Sequence, residues 1–129
     1  MNWLGLTLLK QGKWSEAEPI LRVCSIVLKK TAPDAIGTFV ARSQLGESLL
    51  GQGRYAEAEP LIVSGYEGLE ARVAMIPRAN KARLAEAVDR VVRLYERSGR
   101  PEKARAWRAR LGSVRSDAMM PNGIDAFAH

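Results

Sequence analysis

The phrase LGESLLGQGRYAEAEPLI, Leu45 to Ile62, decides the fold because nearly the same words stand earlier as LGLTLLKQGKWSEAEPIL, Leu4 to Leu21. The two align without a gap over 18 positions, of which 10 are identical. Gly12 and Gly53 mark the same point in each copy, 41 residues apart. Self-similarity at a fixed spacing of this size is the mark of stacked repeats, each a supersecondary unit that needs a neighbour to bury its apolar face. It describes how the chain builds a surface and leaves open what that surface holds.

Working outward, each copy reads as a helix, a glycine turn and a second helix. Leu4, Leu8 and Leu9 recur at helical spacing up to the turn at Gly12. A second helix from about Trp14 carries Ala17, Ile20, Leu21, Cys24, Val27 and Leu28, with Ser15 a candidate N-cap and Lys29 and Lys30 suited to the helix C-terminus. Pro19 and Pro60 fall early in matching helices, so proline is part of the repeat. After Thr31-Ala32-Pro33-Asp34, a third helix is expected over about Asp34–Gly51 and a fourth over about Tyr55–Ile76, stopped by Pro77. A fifth is expected over about Ala79–Arg97 and a sixth over about Pro101–Leu111. Gly99 follows Gly53 by 46 residues, so the third unit is a degraded copy with five residues added; Val91, Tyr95 and Ala104 answer Leu45, Leu49 and Ala58.

L-G, then G-[KR]-[WY], then A-E-A-E-P resembles the tetratricopeptide repeat. The residues carrying the likeness are Leu4, Gly5, Leu8, Gly12, Ala17 and Leu21 in the first unit and Leu45, Gly46, Leu49, Gly53, Ala58 and Ile62 in the second. Val91, Val92, Tyr95, Gly99 and Ala104 carry it in the third. Arg42 and Arg108 stand where that pattern has aromatic residues. A 41-residue spacing with EAEP looks most like the long-repeat, kinesin-light-chain-like type common in bacterial scaffolds. The resemblance implies an all-α fold of three antiparallel helix-turn-helix units stacked as a short right-handed superhelix, an α-solenoid. The expected organisation is a repeat domain over 1–111, with units of about 1–30, 34–76 and 79–111, followed by a flexible tail over 112–129. A protein–protein interaction scaffold without catalysis, cofactor or metal is implied, binding a partner peptide or helix on its inner surface as a fragment or accessory region of a larger signalling protein.

Composition agrees. With 129 residues, 47% hydrophobic and 26% charged, the chain suits one cored domain rather than a disordered segment. No stretch reaches the roughly 20 apolar residues of a membrane span. MNWLGLTLL lacks a basic leader and a cleavage site, and the single cysteine fits a reducing compartment, so a cytoplasmic location is expected. Cys24 reads as a small buried apolar side chain rather than a reactive thiol.

Catalysis finds no footing. Glu16/Glu18 and Glu57/Glu59 lie two apart on a helix, so their side chains diverge, and near helix N-termini they suit the dipole. His129 is the sole histidine and the last residue. The net charge of +6 is uneven: Arg72–Arg115 holds 13 basic and 4 acidic residues, the rest 7 and 10. Projecting the repeat register places Val40, Ser43, Gln44 and Glu47 of the second unit on the inner surface, with Asp89, Arg90, Arg93 and Arg97 of the third. Arg90, Arg93 and Arg97, at i, i+3 and i+7, share a helical face and are expected to receive an acidic partner segment. Nucleic-acid or acidic-ligand binding through the basic third is the alternative, weakened by the lack of interleaved aromatics. Trp3, Leu6 and the flank of the second helix are expected to have an uncovered side, an edge that stacks on upstream repeats or on another copy.

Overall fold

The computed structural model describes residues 2–72 and 82–119, with side chains over 3–72 and 82–112. Among the described residues six helices follow in order: α1 Asn2–Lys10, α2 Trp14–Thr31, α3 Ile36–Gly51, α4 Tyr55–Ala71, α5 Ala82–Arg97 and α6 Pro101–Met119. They pair as hairpins α1/α2, α3/α4 and α5/α6, and each hairpin packs on the next. Among the described residues there is no strand. The architecture is an all-α helical repeat, and none of these helices is long and apolar enough to cross a membrane.

The three hairpin turns are one turn repeated. Gly12, Gly53 and Gly99 adopt φ of 74°, 77° and 77°, a left-handed conformation that costs other residues about 1–2 kcal/mol. In each, the residue after the glycine donates its N–H back to the carbonyl five residues earlier: Lys13 to Leu8, Arg54 to Leu49, Arg100 to Tyr95, at 2.9, 3.0 and 2.8 Å. This pairing satisfies carbonyls left open at a helix end. The next helix then starts with Ala17, Ala58 and Ala104 donating to the carbonyls of Lys13, Arg54 and Arg100. Pro101 opens α6, where its missing N–H costs nothing.

Some boundaries differ from those the sequence suggests. Lys13, not Ser15, occupies the N-cap of α2, with no side-chain cap bond. Pro19 and Pro60 are the sixth residues of their helices rather than first-turn residues, and both are exposed. The carbonyls four residues before them belong to the exposed Ser15 and Ala56. α3 begins at Ile36, beyond Pro33-Asp34. α4 ends at Ala71 rather than Ile76, because Arg72 closes it. Its guanidinium donates to Asp34 O at 2.9 Å and Gly68 O at 3.0 Å, and stacks over the Phe39 ring at 4.5 Å. Val73, Ile76 and Pro77 lie outside the described residues. The expected tail from residue 112 is corrected over 112–119, where α6 continues. One glycine costs a helix only about 1 kcal/mol, and the next proline is Pro121. The remainder, 120–129, also lies outside.

The core is unequal along the stack. A large cluster draws on the second and third hairpins, with Phe39, Leu49, Ile62, Tyr66, Leu69, Leu84, Val88, Val91, Leu94 and Leu111 among its members. Tyr66 and Trp107 meet edge to face there, with centroids 4.9 Å apart, and burial pushes the Tyr66 phenol up to about 12. The first hairpin contributes a much smaller cluster of Leu9, Ala17 and Leu21 against Leu45. Small residues allow close approach: a Cβ on Gly46 would overlap Ile62, and one on Gly5 would overlap Leu21, the same pair one repeat earlier. Cys24 is buried and free.

Candidate partner-binding groove

The first helices of the three hairpins, α1, α3 and α5, line an open concavity. It has a volume of about 480 Å³. Its apolar lining comes from Leu6 and Leu9 of α1 and from Ala82 and Ala85 of α5. The two alanines leave room that larger side chains would fill. Lys10, Glu47, Glu86, Asp89, Arg90 and Arg93 supply its charge.

Those charges are largely spent on one another. Arg90, buried on α5, donates its Nε–H to the carboxylate of Glu47 on α3 and an NH1 hydrogen to Ser43 Oγ at 3.2 Å. Arg93 lies 3.4 Å from Glu47 Oε1 and 3.1 Å from Asp89 Oδ2, the latter as an ion pair off the hydrogen-bonding axis. Arg83 reaches Glu86 at 3.5 Å. Three cations and three carboxylates in the lining balance.

Of the residues projected onto the inner surface, Glu47, Asp89, Arg90 and Arg93 do meet in this groove. Val40, Ser43 and Gln44 are corrected: they are buried and do not line it. Periodicity gives the angular position of a side chain, and here the neighbouring helices close over that angle. Arg97 is exposed but also lies outside the lining. The open Arg90/Arg93/Arg97 face is corrected too, since Glu47 from another helix pairs with its first two members and Asp89 also faces Arg93. Lys10, Ala82 and Ala85 were missed, and Leu6, expected at an uncovered edge, lines the groove instead; Leu6 and Lys10, four apart on α1, share a face.

Elsewhere the basic third is also paired. Arg100 binds Glu59 at 2.9 Å, Arg108 binds Glu96, and Arg110 sits over the Trp107 ring at 4.6 Å and 3.9 Å from Glu70. Arg97 and Arg105 have no ion pair among the described residues.

One pairing repeats. Glu18 on α2 accepts from Arg54 in the second turn at 2.8 Å and from Gln52 at 2.9 Å; Glu59 on α4 accepts from Arg100 in the third turn. The second glutamate of each EAEP thus holds the arginine that follows the next hairpin's glycine. Hydrogen bonds from Arg22 and then Gln52 hold the Glu18 carboxyl below the usual range, and one from Arg100 does so for Glu59. The signal was present in the sequence as EAEP and G-R, recurring with the five-residue insertion added between them.

Repeated hairpins joined by one recurring turn and one recurring ion pair define a helical-repeat protein. Residues 40–62, covering most of α3 and the first half of α4, match the family model of the tetratricopeptide repeat. That match supports a tetratricopeptide repeat family, whose domains generally bind other proteins. Comparison with curated proteins finds no match.

Proposed function

We propose that residues 1–111 act as one non-catalytic interaction domain whose α1/α3/α5 groove takes a peptide or helix of a partner protein. The observation that carries this reading is the groove itself, apolar along Leu6, Leu9, Ala82 and Ala85 and flanked by Glu47, Asp89, Arg90 and Arg93 held in fixed pairs. Fixed pairs discriminate between partners more than they raise affinity. A balanced lining favours a partner segment of mixed charge with small apolar anchors over a uniformly acidic one. An acidic side chain on that segment would meet Arg93, the most exposed of the groove's paired arginines. The 41-residue spacing supports the kinesin-light-chain-like type, and the buried free cysteine suits a cytoplasmic setting.

The test begins with peptides selected from a random displayed library on the whole chain. Ala85→Trp fills the groove; Ala106→Trp, on the exposed side of α6, is the control. Selected peptides should lose at least about tenfold in affinity, or about 1.4 kcal/mol, on the first variant and nothing on the second. Equal binding to both variants would place the interaction elsewhere.

A further inference from the structure

The gap between the second helices of neighbouring hairpins occurs twice, and the repeat register shows that its two copies are filled differently. Between α4 and α6, Tyr66 and Trp107 meet edge to face, and Arg110 lies over the Trp107 ring at 4.6 Å with Glu70 3.9 Å away. Two rings plug that gap and an ion pair clasps it. Between α2 and α4, at offsets of 41 and 46 residues, Ser25 stands for Tyr66, Lys29 for Glu70, Leu61 for Trp107 and Ser64 for Arg110. The rings and the clasp are both gone. An open cleft of about 430 Å³ remains, with Leu45 of α3 and Pro60 and Leu61 of α4 in its lining.

The same replacements change the charge. Arg22, Lys29 and Arg42 line the cleft and no carboxylate does, whereas the matching positions one repeat on are Val63, Glu70 and Val88. Ile26, also in the lining and half exposed, matches Glu67. Arg22 is held by Glu18 at 2.7 Å. Arg42 lies over the Phe39 ring at 5.3 Å, and among the described residues neither it nor Lys29 has a carboxylate partner. Ser25 and Ser64 add hydroxyls that can donate to an anion, and the bond Ser64 makes to the Leu61 carbonyl is long, at 3.5 Å. The α1/α3/α5 groove differs on both counts: its charges balance, and it shares no lining residue with this cleft.

Cations without partners beside an apolar wall suit an anionic chain that also carries apolar side chains. Two unpaired cations neutralise about two phosphates, too few to hold a nucleic-acid backbone at ordinary salt. The lining also has no aromatic ring on which a base could stack. We infer that the α2/α4 cleft binds an acidic segment of a partner protein, with its carboxylates on Lys29 and Arg42 and a bulky apolar side chain against Leu45 and Leu61, in the space that Trp107 fills one repeat on. A guanidinium can hold a carboxylate through two parallel hydrogen bonds, which fixes the segment's orientation as well as its charge. This site is separate from the groove and does not rest on the reading given for it.

The test selects peptides on the whole chain from a displayed library with Asp or Glu fixed at alternate positions and the rest random, beside a library with Asn or Gln at the same positions. The acidic library should yield binders and the neutral one should not. Ile26→Glu with Lys29→Glu installs the second hairpin's own residues at two exposed positions. That variant should keep its helicity by circular dichroism and lose at least about tenfold in affinity for the acidic peptides. Ser25→Tyr, which restores half of the plug, should weaken them as well, whereas Ala85→Trp in the groove should not. Equal yields from the two libraries, full affinity in the folded Ile26→Glu/Lys29→Glu variant, or a loss confined to Ala85→Trp would each overturn the inference, the last while leaving the groove's own role intact. A single-stranded DNA oligonucleotide that binds more tightly than the selected peptides and displaces them would overturn it too.

Discussion

Gly37 and Gly53 both have open space where a Cβ would go, yet alanine should act in opposite directions at the two. Gly37 lies in the first turn of α3 with an ordinary φ, so Gly37→Ala removes freedom from the unfolded chain and is expected to stabilise by about 0.5 kcal/mol. Gly53 sits at φ 77°, so Gly53→Ala is expected to destabilise by about 1 kcal/mol through backbone strain alone. Thermal melts of the two variants check the pair, and a shift of the same sign in both would contradict the turn geometry. Gly46→Leu is of another kind, since its side chain would enter Ile62. It should cost about 1–3 kcal/mol or more.

Among the elements, two kinds of ion pair join neighbouring hairpins, and they should respond differently. Glu47 and Arg90 link α3 to α5 in the interior. Removing Glu47 alone strands a buried guanidinium, so Glu47→Ala is expected to lose about 3–5 kcal/mol, and Glu47→Leu with Arg90→Met should recover most of it. Urea melts of the three proteins measure this; a double variant no better than the single would mean packing, not charge, sets the cost. The Glu59–Arg100 rung is more open to water, so its contribution is small. The Glu59 carboxyl is held below its ordinary value of 4.5 by Arg100, so its stabilisation is full above that value and fades as pH falls through the lower folded value. Glu59→Gln should therefore melt a little below the wild type at pH 7, and the gap should close as pH falls below the ordinary carboxylate range. A gap that persists in acid would remove Arg100 as the cause. These pairings also mark where sequence reading stops. The three turns were legible because glycine at positive φ leaves a signature at a single position, and the hairpins because periodicity is local. The Glu47–Arg90 pair joins residues 43 positions apart, and helical projection of α5 alone displayed three arginines as if nothing faced them. Ser43 and Gln44 failed for the same reason: the angle was legible, the helix closing over it was not.

At the scale of the whole molecule, stability should run unevenly along the stack. In a repeat array it is close to a sum of unit and neighbour terms, so the unit with the least core and a single neighbour opens first. The first hairpin is that unit: its cluster holds Leu9, Ala17 and Leu21 against Leu45, whereas the second and third hairpins share the large core from Phe39 to Leu111. Native-state hydrogen exchange should find amides of α1 and α2 exchanging through a local opening well below the global free energy, and those in the middle of α3, α4 and α5 exchanging only on global unfolding. Uniform protection from α1 to α5 would mean that the stack folds as one block.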